Sequence, residues 1–231
     1  NIFYFVNQSK TFDEAQQFCR ENYTDLATLS GQEDVEKLFG LDNFTYTTSA
    51  WIGLKKSGSK RWRWALADPE FYKEVETEYR NWAPNEEVVF LDYEDCVMMD
   101  SSGQFFSTYC FTIRSFICYD DILSEEVAIL ILFNLLGQGD NNQKYVLVNE
   151  ANYCRQHHTE LVSMRNEDEN LQIQQLIPAG HYVYIGLFKD NYVWSDKSTS
   201  SFRNWGSYQP DGSGECVTQL LRDDRLWDDL T

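Results

Sequence analysis

The chain has 231 residues, 42% of them hydrophobic and 16% aromatic, with a formal net charge of −18. That length suits one large or two ordinary domains, and the aromatic content excludes a disordered chain, whose composition is poor in such residues. An acidic surface of this size repels phosphate backbones and argues against nucleic acid as a partner.

In chain order, Phe3 and Phe5 suit a short strand. Thr11 with Glu14 forms a capping-box pattern, the threonine side chain satisfying a helix-start N–H that has no partner within the helix. Phe12, Ala15, Phe18 and Cys19 follow at helical spacing. A second helix is expected from Ser30, with Glu33 three residues on, burying Val35, Leu38 and Phe39. Short aromatic strands come next, around Trp51, Trp62 and Trp64. The longest apolar stretch, Val127 to Leu136, spans ten residues, about half of the roughly 20 needed to cross a membrane. Three readings of it stand: it completes a helical surface, it covers a partner contact, or the sequence is imperfect there. Gly137, Gly139, Asp140, Asn141 and Asn142 form a turn-rich linker. A helix from Asn166, with Glu169, is expected to bury Ile173, Leu176 and Ile177, before strands around Tyr184 and Trp194.

The chain repeats itself. Phe18-Cys19-Arg20 and Asp25-Leu26 return as Tyr153-Cys154-Arg155 and Glu160-Leu161 at an offset of 135. Trp51-Ile52-Gly53-Leu54 returns as Tyr184-Ile185-Gly186-Leu187 at 133, and Tyr79-Arg80-Asn81-Trp82 as Phe202-Arg203-Asn204-Trp205 at 123. Conserved order with changing loop lengths marks duplicated domains rather than a short-period solenoid. The division is expected as domain 1–120, linker 121–143 and domain 144–231, each α+β. In the second repeat only six positions separate Val148 from Cys154, against thirteen between Val6 and Cys19, so most of its first helix is missing.

Six cysteines are present, with no Cys-x-x-Cys pair of the zinc-ribbon kind. Sequons at Asn7, Asn22 and Asn43 fit a secreted glycoprotein, so disulfides are the default reading of the cysteines and an extracellular or cell-surface setting is expected. The start at Asn1, without a signal peptide, reads as a fragment or processed product. No His-Glu-x-x-His, Gly-x-Ser-x-Gly or phosphate-binding glycine loop occurs, so an enzyme is not expected.

Two helices, then Trp-Ile-Gly-Leu, then Arg-Asn-Trp, then Cys: this order resembles the C-type lectin-like domain. The chain looks like a tandem member, of the mannose-receptor-like or fish-lectin kind, with its second domain truncated. The resemblance implies two helices with small antiparallel sheets per domain, with Trp51 and Ile185 in the core. It pairs Cys19 with Cys118 and Cys96 with Cys110. Closing those loops adds roughly 4–5 and about 3 kcal/mol by chain-entropy arithmetic. Cys154 and Cys216 are left as unpaired thiols.

In sugar-binding relatives one calcium ion sits between a carbonyl-Pro-carbonyl tripeptide, a Glu and a Trp-Asn-Asp strand. Calcium takes six to eight oxygens; a cis proline turns both flanking side chains to one side; vicinal sugar hydroxyls complete the shell. The matching residues are Gln209, Asp211, Glu215, Asp228 and Asp229. The resemblance thus implies Ca2+ as cofactor and a glycan or glycoprotein ligand. Gln-Pro-Asp resembles the galactose-type motif. Glu215 directly precedes Cys216, where relatives keep one residue between, and Asp228 replaces an Asn. In the first repeat Glu86-Glu87-Val88 and Phe105-Phe106-Ser107 stand at these positions. Glu94 is kept, but the calcium motif is degenerate, and Phe105 and Phe106 either pack inward or form an aromatic patch. The alternative function is a non-catalytic protein-binding ectodomain that uses the fold as a scaffold.

Overall fold

The computed structural model describes residues 2–41, 49–66, 78–86, 95–110, 114–119, 153–155, 157–206, 208–221 and 225–231. The linker, the 127–136 apolar run, Asn43, Glu87, Val88 and Glu94 lie outside them. In chain order the elements are α1 (Phe12–Asn22), α2 (Gln32–Phe39), β1 (Ser49–Trp64), β2 (Cys96–Asp100), β3 (Phe105–Thr108), β4 (Ser115–Phe116), β5 (Cys118–Tyr119), β6 (Glu160–Leu161), α3 (Glu167–Gln174), β7 (Tyr182–Trp194), β8 (Cys216–Leu220) and β9 (Trp227–Leu230). The architecture is α+β. No helix among the described residues is long and apolar enough to cross a membrane.

Local chemistry explains the helix starts. Thr11 accepts from the Glu14 amide while Glu14 accepts from the Thr11 amide, the reciprocal capping box. The Asn166 side chain caps α3 through the Glu169 amide. α2 starts later than Ser30: Gly31 is its N-cap, and Asp34 turns back to accept from the Ser30 amide.

The compact units do not coincide with the sequence repeats. One comprises Asn1–Lys60 and Asn191–Thr231, the other Arg61–Asp190. Each therefore takes part of both repeats. Strands β1 and β7, 16 and 13 residues long, each contain residues of both units. In the first unit β1 pairs antiparallel with β8, and β8 with β9. Its core holds Phe12, Val35, Leu38, Ile52, Leu54 and Trp227. In the second unit β2 lies between β3 and β7, both antiparallel to it; β4 runs parallel to β7, and β5 pairs with β6. The core there is built on Trp64, Val97, Met99, Phe105, Ile117 and Ile185.

Equivalent hydrogen bonds show the exchange. The Gly53 amide donates to Ala27 O and the Gly186 amide to Val162 O, each within its own repeat. On the opposite side, Gly53 O accepts from Ser195 and Gly186 O from Ala65, each from the other repeat. A Cβ on Gly186 would sit 2.9 Å from Leu161 O and 3.0 Å from Val162 O, both rigid backbone. Gly186→Ala is expected to cost about 1–3 kcal/mol through forced strand displacement. An unchanged urea midpoint would contradict this contact.

The exchange corrects the cysteine pairing. Cys118 bonds Cys154, not Cys19, and Cys19 and Cys216 carry free thiols. The reason is the strand register: Cys118 on β5 sits opposite Leu161 on β6, in one apolar cluster with Cys154 and Tyr184. Cys154, expected to be unpaired, is thereby bonded. Cys96 and Cys110 are joined, 5.1 Å apart at Cα. The short first helix of the second repeat is present as a helical turn at 153–155. Ile185 is fully buried, while Trp51 is half-buried and donates its indole N–H to Lys10 O.

Candidate functional site

Strand β9 reads Trp-Asp-Asp-Leu. Alternation sends Trp227 and Asp229 inward and Asp228 to the opposite, half-exposed face. Trp227 is fully buried, meets Trp194, Phe202 and Trp205 edge-on, and donates Nε1–H to Gln219 Oε1 at 2.9 Å. That packing fixes the strand. The 204–214 segment is then tied to it: Trp227 N–H donates to Asn204 O, Gly206 N–H donates to Trp227 O, and Asn204 Nδ2 donates to Arg225 O. The Gln209–Pro210 peptide is cis.

Asp229 is the hub of the loop. It is 0% exposed. Its Oδ1 accepts from the Asp211 amide at 3.0 Å; its Oδ2 accepts from the Gly214 amide at 3.1 Å and the Tyr192 hydroxyl at 3.2 Å. Lys56 Nζ lies 3.6 Å from Oδ2, and the Ser213 hydroxyl donates to the Asp229 carbonyl. Both carboxylate oxygens are thus occupied by donors, and the side chain acts as a latch rather than as an open ligand. Gly214 is equally constrained: a Cβ there would lie 2.1 Å from the Leu230 carbonyl carbon.

Of the other expected ligands, Gln209 Oε1 accepts from the Asp211 amide, and Asp211 Oδ1 accepts from the Ser213 amide. The Ser213 hydroxyl and amide, followed by the charge of Lys56, hold the Asp211 carboxyl below its ordinary range. The Asp228 carboxyl is pushed up, first by burial and then by the charges of Asp229 and Asp211. The charges of Asp229 and Asp211 therefore reach Asp228. The Glu215 side chain is exposed, and its carbonyl accepts from the Lys56 amide at 2.8 Å. Among the described residues, no three acidic, His or Cys side chains are grouped as a metal cluster. Gln209, Asp211 and Asp228, each half-exposed or exposed, carry oxygens of the hard-donor chemistry that calcium prefers. Asp229 as placed does not join them.

Lys56 and Tyr192 were not singled out from sequence. The available signal was the repeat itself, since Lys56 and Lys189 share the 133 offset.

The described part of the equivalent place in the other unit is built differently. Phe105 stands where Trp227 does, fully buried and edge-on to Trp64, Tyr79 and Trp82. Glu86 Oε2 accepts from both the Ser107 amide and hydroxyl at 3.1 Å. Phe106 is half-buried against Tyr182.

The family model described as the Lectin C-type domain matches residues 8–120 and 143–231. E-selectin of Canis lupus familiaris is 34% identical over 118 residues, covering 48% of this chain and 18% of that protein. The secretory phospholipase A2 receptor of Oryctolagus cuniculus is 26% identical over 240 residues, covering 90% of this chain and 16% of the receptor. L-selectin of Rattus norvegicus is 30% identical over 124 residues, covering 51% and 31%. The chain spans less than a third of the length of each of these relatives. It belongs to the C-type lectin domain family.

Proposed function

We propose that this chain is an ectodomain that binds carbohydrate, as a free glycan or on a glycoprotein, in a calcium-dependent way through the 209–215 loop and β9 of its second repeat. The domain division 1–120 and 144–231 belongs to the same reading, as does galactose-type preference. What supports it is the latched loop: the Asp211 amide is held by Gln209 Oε1 and Asp229 Oδ1, and Asp228 lies on the face of β9 opposite Asp229. Bound there, the ion supplies a Lewis-acidic centre for sugar hydroxyls. Gln209, Asp211 and Asp228 would hold it, Glu215 stands four residues after Asp211, and Asp229 keeps the loop in place through the Asp211 and Gly214 amides. The Gln209 side chain offers both an amide donor and an acceptor for a hydroxyl pair.

The test is thermal melting of the full chain with and without calcium. Calcium at a hundredfold over its dissociation constant should add about 2.7 kcal/mol. Asp228→Ala should remove that gain while leaving the calcium-free melt near wild type, since Asp228 is half-exposed. A flat wild-type response to millimolar calcium would defeat the calcium reading.

A second reading, a protein-binding scaffold without sugar chemistry, is favoured by the first-repeat position, where the Ser107 amide and hydroxyl occupy the Glu86 carboxylate. A glycan array without hits, together with a tight protein partner, would support it.

A further inference from the structure

We infer that Lys56, a first-repeat residue, positions the second repeat's candidate sugar site by clamping the 209–215 loop to β9 through Asp229. The inference rests on the calcium reading only where it touches ion affinity; the clamp itself stands on contacts.

A fully buried carboxylate is costly unless a positive charge or several donors compensate it. Asp229 is 0% exposed and its ammonium partner is Lys56, 3.6 Å away and itself one-quarter exposed. The same ammonium donates to the Gly214 carbonyl and lies 5.7 Å from the centre of the Tyr192 ring, whose hydroxyl also reaches Asp229. The Lys56 amide donates to Glu215 O. One residue therefore grips the loop at 214, at 215 and, through Asp229, at the amide of 211.

The other unit supplies the contrast. Lys189 occupies the same repeat position, and its amide donates to Asp95 O just as that of Lys56 does to Glu215 O. Its ammonium turns to Asp95 Oδ1 at 3.6 Å and lies 5.1 Å from the Trp62 ring centre. The place of Asp229 is held there by Ser107, which carries no charge. The direction of the lysine follows the presence of the buried acid. A charge balance also results. Lys56 offsets Asp229, which leaves Asp211 and Asp228 as two carboxylates to face a divalent cation, despite the Asp that stands at 228 in place of Asn.

The test is amide hydrogen exchange on the full chain without calcium, comparing Lys56→Met, Lys56→Arg and Lys55→Met. Lys56→Met should speed exchange at the Asp211 and Gly214 amides, which donate to Asp229, by about tenfold or more, equivalent to roughly 1.4 kcal/mol, relative to the rest of β8 and β9. Lys56→Arg should restore protection. Lys55→Met, whose ammonium lies over Phe12 instead, should leave both amides as in wild type. The calcium midpoint of Lys56→Met should rise about tenfold, because the preorganised loop is lost. Three results overturn the clamp: wild-type exchange at both amides in Lys56→Met, uniform loss of protection through β8 and β9, or no rescue by Arg. If wild type itself binds no calcium, the calcium reading fails, while the exchange pattern still decides the role of Lys56.

Discussion

Trp227→Ala is expected to cost about 3–5 kcal/mol of stability, the range for deleting a buried large aromatic. Trp227 is the largest fully buried side chain of its unit, and three aromatic rings stand edge-on around it at 5.5–5.8 Å. Removal leaves a void, forfeits those ring contacts, and strands Gln219 Oε1, which is itself fully buried. An unsatisfied buried acceptor adds about 1–3 kcal/mol of penalty, so the upper part of the range is expected. Because Trp227 N–H and C=O hold the 204–206 segment, the candidate site should loosen too. Trp227→Phe should cost less, since Phe105 occupies the equivalent place in the other unit. Urea unfolding measures both; a loss under about 1 kcal/mol for the alanine variant would mean that the ring is not packed as described.

Removing the Cys118–Cys154 bridge should be comparably severe. The bond joins positions 36 apart in sequence, which corresponds to about 4 kcal/mol of denatured-state entropy. Cys118→Ser also leaves the Cys154 thiol buried at 0% exposure. Cys19→Ser should change stability by less than about 1 kcal/mol, because Cys19 is half-buried and forms no disulfide. A non-reducing peptide map should find the Cys118 peptide linked to Cys154, with Cys19 open to alkylation. A Cys19–Cys118 link, with Cys154 free, would contradict the exchange of strands between repeats.

Much of each unit's interior was legible in the sequence because local chemistry and repetition both specify it. The Thr11 and Asn166 caps are fixed by residues three apart. Phe105 matches Trp227 at an offset one residue shorter than that of Trp82 and Trp205, and the structure packs both rings in the same way. The strand exchange was not legible. Trp51-Ile52-Gly53-Leu54 has the same local preference whether Ser195 or Ala65 pairs with it, since a main-chain hydrogen bond carries no repeat label. The expected Cys19–Cys118 bond failed for that reason, as the partner of a cysteine depends on which halves meet. At the candidate site, residue types pointed to Gln209, Asp211, Glu215, Asp228 and Asp229 as candidates. They did not reveal that Asp229 turns inward, which depends on the pleat of β9 and on donors at 192, 211 and 214. Lys56 escaped because it lies more than 150 residues from the loop it holds.

Chromatography of the full chain on immobilised galactose tests the central claim most directly. Calcium-dependent binding through Gln209, Asp211 and Asp228 predicts retention in millimolar calcium, release on chelation, and no retention of folded Asp211→Ala. Retention that persists in chelator, or passage of the folded wild-type chain straight through in calcium, would contradict it.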